Sequence, residues 1–87
     1  MEREEIIKKI VDILKYNIPE AGDLKINREN AEKQLEVGSL IFLQLLTEVE
    51  KEFQIHIEDD YWEYDKLSSI GVIADYVLEA VKEKRNQ

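Results

Sequence analysis

Cysteine is absent from the 87 residues, so neither a disulfide nor a thiolate metal site holds this fold, and any thiol chemistry must be imported. Positive charge is scarce as well: 12 Lys and Arg stand against 20 Asp and Glu, for a net charge of −8. That balance argues against a nucleic-acid surface, which needs clustered basic side chains, and favours partners that carry basic patches. No apolar run approaches membrane-spanning length, and Met1-Glu2-Arg3-Glu4-Glu5 lacks the basic, apolar and cleavage regions of a signal peptide. The expectation is a soluble, cytoplasmic, acidic monomer. Internal repeats and low-complexity segments are missing too, and the length suits one small domain, residues 1–87. A domain of that size buries about 60–65% of the surface its unfolded chain exposes and has no room for a catalytic cleft walled by two layers.

What is present is helical periodicity. Between residues 2 and 16 the apolar side chains fall in two adjoining rows, Ile6, Ile10, Ile13 and Ile7, Val11, Leu14, with Glu4, Lys8, Asp12 and Lys15 opposite. Pro19, the only proline, cannot continue that helix. Residues 19–37 are largely polar and read as a long connection, with Gly22, Asn27 and Asn30 as turn or cap candidates and Ile26 and Leu35 as anchors to the core. Asn27 is placed to start a short helical turn inside it.

A second helix is expected over 39–53. At a hundred degrees per residue, Phe42, Leu45, Leu46, Val49 and Phe53 share one side, and Gln44, Glu48, Lys51 and Glu52 share the other. Leu40 and Ile41 fall on the polar side beside Ser39, two aliphatic residues placed as a docking spot. Beyond the helix, Phe53, Ile55 and Ile57 alternate with Gln54, His56 and Glu58 as a short extended piece with one face inward. Asp59 and Asp60 suit the capping of a helical turn over Tyr61, Trp62, Glu63 and Tyr64. Ser68 or Ser69 starts a last helix, with Ile70, Ile73, Val77 and Val81 in one row, Ala74 and Leu78 beside it, and Lys82, Lys84 and Arg85 at the negative end of its dipole.

Ser39 sits where a polar stretch, Leu35-Glu36-Val37-Gly38, meets the most apolar run of the chain, Leu40-Ile41-Phe42-Leu43-Gln44-Leu45-Leu46. A serine opening a helix can cap free backbone N–H groups, and its hydroxyl stays at the surface beside the positive end of the helix dipole, where a phosphate diester is electrostatically favoured. Taken alone, the motif reads as an N-cap serine. Taken with Glu50-Lys51-Glu52-Phe53, Ile55-His56-Ile57 and the stretch from Leu67 to Val77, in that order, it resembles the phosphopantetheine-binding acyl and peptidyl carrier proteins. One departure is Gly38, where that family most often has Asp and where glycine permits backbone angles that a side chain resists.

The resemblance implies an all-α, four-helix carrier bundle of three main helices and one short one, with a long first connection. It implies a 4'-phosphopantetheine arm moved from coenzyme A onto Ser39 by a phosphopantetheinyl transferase. The arm's thiol then carries an acyl or aminoacyl thioester from a loading enzyme to a downstream synthase or transferase, in nonribosomal peptide, polyketide or related biosynthesis. Leu40, Ile41 and Gln44 would form the apolar centre of the partner surface, and Glu48 and Glu52 would steer by charge. Two alternatives stand beside this: an unmodified interaction module of the same fold, suggested by Gly38, and an aminoacyl carrier of an envelope pathway.

Catalysis by the chain itself is not expected. His56, the only histidine, lies beyond the far end of the helix that Ser39 opens, out of reach as its base. Asp59, Asp60, Glu63 and Asp65 offer oxygen ligands but lack the glycine and terminal glutamate of an EF-hand loop, so capping is the better reading. His56 reads as an exposed neighbour rather than a pH switch. Tyr61, Trp62 and Tyr64 read as core or rim packing, with lining a cargo pocket as their functional reading.

Overall fold

In the computed structural model, which describes residues 2–21, 24, 26–63 and 65–85, the isoleucine rows make the first helix, α1 (Arg3–Asp12). Ile6, Ile7, Ile10 and Val11 are buried along it. The helix continues through one wider π turn, Ile13–Asn17, which keeps Ile13 and Leu14 in the core and leaves Tyr16 outside. Pro19 then stops it: Ile18 is extended at φ −123° and ψ 94°, as a residue before proline must be. A 3-10 turn, Pro19–Ala21, follows.

In its described residues the connection is a strap tied to the core. Asn27 caps a 3-10 turn, Arg28–Asn30, with its Oδ1 accepting from the N–H groups of Glu29 and Asn30 at 2.9 and 3.3 Å. The Gly71 N–H donates to the Ala31 carbonyl at 2.8 Å and the Leu35 N–H to the Ser68 carbonyl at 2.7 Å. Ala31 and Leu35 are buried, and Ile26 packs against the core from its edge. Outside, Arg28 pairs with Glu4 of α1, and Arg3 reaches Glu32 and Asp75 at 2.7 Å each. A Cβ on Gly71 would stand 2.6 Å from the Glu32 carboxylate, so this glycine makes room for the strap's ion pair.

The second helix, α2 (Ser39–Phe53), has the predicted bounds, and its buried residues are Phe42, Leu45, Leu46, Val49 and Phe53. It ends at Gln54 in the left-handed conformation (φ 53°, ψ 49°); around this end Phe53 and Ile57 are buried, Ile55 is half-buried, and Gln54, His56 and Glu58 face solvent. The next turn is a 3-10 turn, Asp59–Tyr61, two residues earlier than the sequence suggests. Asp59 and Asp60 therefore lie within the turn instead of capping it. The third helix, α3 (Ile70–Arg85), is capped by Ser69, whose Oγ accepts from the Val72 N–H at 3.1 Å. Gly22, Tyr64 and the Arg85 side chain, named above as candidates, lie outside the described residues.

The result is an all-helical bundle with no strand among the described residues. Its buried faces meet in one cluster with Ile18, Ala21, Ala31, Leu35, Ile57 and Leu67. α2 and α3 run in the same direction. Their starts are joined by the Leu35–Ser68 bond and their ends by Lys84, whose Nζ donates to the Gln54 carbonyl at 2.8 Å. Ser39 is thereby held at one end of the bundle, and residues 54–58 at the other.

Candidate functional site

Gly38, not Ser39, is the N-cap of α2: it is extended at φ −69° and ψ 163°, and its carbonyl accepts the first intrahelical bond, from the Phe42 N–H at 3.0 Å. Ser39 is the first helical residue, and it is exposed. Its hydroxyl has no hydrogen-bond partner among the described residues. The N-cap position is thus held by a residue without a side chain to cap with, and the serine oxygen is exposed at the surface. No acidic residue occupies the first turn to offset the positive helix end. Gly38 is not there for conformational freedom, since its φ is ordinary and an added Cβ would meet nothing within 4 Å.

Beside the hydroxyl lies an apolar hollow lined by Val37, Ser39, Phe42, Leu43 and Trp62. Trp62 arrives there from 23 positions further along the chain, and its Nε1–H donates to the Ile57 carbonyl at 3.0 Å, which fixes the indole. Nothing in the local hydropathy pattern marks this meeting. Of the two aliphatic residues expected on the outer face, Leu40 is 61% exposed, but Ile41 is half-buried and packs against the core. The exposed partner of Leu40 is Leu43, at 44%, which the wheel did not single out although it is three residues on from Leu40 and four from Ser39. Gln44 is also half-buried, and its Oε1 is enclosed without a hydrogen-bond partner among the described residues. Glu48 keeps 30% of its side chain exposed and stands 3.8 Å from Lys51, while Glu52 faces solvent.

His56 lies beyond the opposite end of α2, roughly 22 Å along the helix from Ser39 at 1.5 Å per residue. Its Nδ1 faces Glu50 at 3.4 Å. No histidine is therefore within reach of the serine to activate it as a nucleophile. Among the described residues no cluster of His, Asp and Glu is arranged to hold a metal ion, and no helix is long and apolar enough to cross a membrane.

Against known proteins, the chain is 30% identical to the acyl carrier protein of Rubrobacter xylanophilus over 79 residues, covering 91% of this chain and 95% of that protein. The chain belongs to the acyl carrier protein family. It is also 28% identical to the mitochondrial acyl carrier protein of Saccharomyces cerevisiae over 81 residues, covering 88% of this chain and spanning 63% of that longer protein's length. No family model matches the chain and no solved structure matches it. Neither acyl carrier protein relative is named as a peptidyl carrier.

Proposed function

We propose that this chain bears a 4'-phosphopantetheine arm on Ser39 and carries acyl or aminoacyl groups, as thioesters on the arm, between enzymes. The observation that carries this reading is the Ser39 hydroxyl: exposed, unbonded, and set in the first turn of a fifteen-residue helix. A phosphodiester at that oxygen would lie against the free N–H groups of the helix start, with no carboxylate in the turn to repel it. The residues present thus fit the group. Bound there, the arm would supply the thiol that the cysteine-free chain lacks.

The chain itself would be a substrate of its partners and not an enzyme. A phosphopantetheinyl transferase would load the arm, and a loading enzyme and a downstream synthase or transferase would each grip the same end of α2. Leu40 and Leu43 supply exposed apolar contact for them, Ile41 and Gln44 a half-buried flank, and Glu48 and Glu52 the charge that steers basic partners. An aliphatic first turn without an acidic residue supports reading the pathway as nonribosomal peptide, polyketide or related assembly.

The test is intact mass after incubation with coenzyme A, magnesium and a broad-specificity phosphopantetheinyl transferase, for the wild type and for Ser39→Ala. The expected result is a gain of one phosphopantetheine in the wild type alone. A folded wild type that gains nothing would overturn the proposal.

A further inference from the structure

We infer that the end of the bundle remote from Ser39 carries a docking groove for an arginine-bearing segment of a partner protein. The groove, about 660 Å³ in volume, lies between residues 54–61 and the second half of α3. It is roughly 22 Å along α2 from the serine at 1.5 Å per residue, so contact here is separate from contact at Ser39. The inference goes beyond the carrier reading and does not depend on an arm.

Charge complementarity sets the occupant. Because α2 and α3 run in the same direction, the negative ends of both helix dipoles come together at this groove. The chain has already drawn one of its own cations there, Lys84, which is spent on the Gln54 carbonyl at 2.8 Å. Glu58, Glu79 and Glu83 line the same groove and are exposed. Glu79 stands 3.9 Å from Lys82, while Glu58 and Glu83 have no ion pair among the described residues. Glu79 and Glu83 are four apart on one helix, a spacing at which like charges repel, and a cation set between them relieves that repulsion. The rest of the lining is largely carbon: half-buried Ile55 and Ala80, and the rings of Tyr61 and Tyr76, whose centroids are 4.7 Å apart. Lys66, outside the groove, stands 5.8 Å over the Tyr61 ring, which shows that this ring face attracts a cation. A guanidinium answers both kinds of wall, stacking its plane on a ring and forking its N–H groups onto carboxylates, where an ammonium offers a point charge. The volume falls within the roughly 300–1,000 Å³ of ordinary ligand clefts, room for one long side chain with its flanking backbone.

The experiment titrates the unmodified protein with acetyl-triarginine amide at low salt and follows backbone amide shifts by NMR, so no outcome depends on Ser39. Acetyl-tricitrulline amide, the same shape without the charge, and acetyl-trilysine amide are the comparison probes. Triarginine should shift the amides of residues 54–58 and 76–84 and bind about tenfold more tightly than either comparison peptide. The double variant Glu79→Gln, Glu83→Gln should weaken triarginine binding about fivefold with the helical fold intact, and Glu58→Gln should weaken it in the same direction. Removing two exposed charges elsewhere, by Glu20→Gln with Glu36→Gln, should change it by less than about twofold. No shift at millimolar peptide, shifts centred on Glu48 and Glu52, or equal weakening by the two double variants would overturn the groove as a docking site. Trilysine bound as tightly as triarginine would overturn the assignment to arginine.

Discussion

At its start α2 has a glycine at the N-cap position, a serine hydroxyl without a hydrogen-bond partner among the described residues and two exposed leucines, whereas at its other end several backbone groups are held by side chains. There Glu50 Oε2 accepts from the Ile57 N–H at 2.8 Å and faces His56, Lys84 holds the Gln54 carbonyl, and Tyr76 Oη accepts from the Glu58 N–H at 3.0 Å. The Tyr61 and Tyr76 rings pack at 4.7 Å over the same turn. The difference separates two tasks on one helix. The tied end fixes the helix in the bundle, and the other end leaves a hydroxyl and apolar surface exposed.

The largest effect expected from breaking this comparison comes from the floor of the open end. Phe42→Ala should cost about 3–5 kcal/mol in denaturant unfolding, because Phe42 is 3% exposed and its removal leaves a cavity. Leu40→Asp, one turn of surface away, should leave stability within about 0.5 kcal/mol of wild type while slowing loading by the transferase. A loss comparable with that of Phe42→Ala would show that Leu40 belongs to the core. At the tied end, Glu50→Ala should cost about 1–3 kcal/mol by leaving the Ile57 N–H without its acceptor, read as a shifted unfolding midpoint.

Two changes sharpen the contrast in the stabilising direction. Gln54 is the one described non-glycine residue with positive φ, so Gln54→Gly should stabilise by about 1 kcal/mol, keeping the carbonyl that Lys84 binds. Gly38→Asp should fit without strain and stabilise by a few tenths of a kcal/mol as a better cap. A destabilised Gly38→Asp would mean that the helix start is more crowded than its geometry shows.

The smallest effect lies away from both ends, at the strap. Hydrogen bonding to Arg28 holds the Glu4 carboxyl below its ordinary value of 4.5, and the same bond raises the Arg28 guanidinium. A depressed folded value means that this contact stabilises above the unfolded value and is lost as pH falls through the folded one. Arg28→Gln should therefore move the Glu4 titration midpoint upward in a carbon-detected NMR titration. An unchanged midpoint would show that the pair does not persist in solution.

Much of the scaffold was legible in local order. The bounds and buried face of α2, the two isoleucine rows of α1, the Asn27 turn and the serine cap of α3 all follow from 3.6-residue periodicity and cap chemistry. The π turn after Asp12 was not, because a widened turn differs from its neighbours by one register step that hydropathy does not record. The wheel also put Ile41 on the outside. Width of the buried face depends on what packs across it, and here the core reaches round to Ile41 and leaves Leu43 in the open.

By itself, then, the sequence determined three amphipathic helices, the first of them stopped by a proline, an acidic chain without a thiol, and a serine at the mouth of the second helix. These depend on neighbours within one or two turns, where spacing and caps act. Only the tertiary structure decided that Arg3 would clasp Glu32 and Asp75, that Lys84 would close the far end of α2, and that Trp62 would stand beside Ser39. Those meetings join residues far apart in the chain, and it is burial of the three helix faces against one another that brings them together.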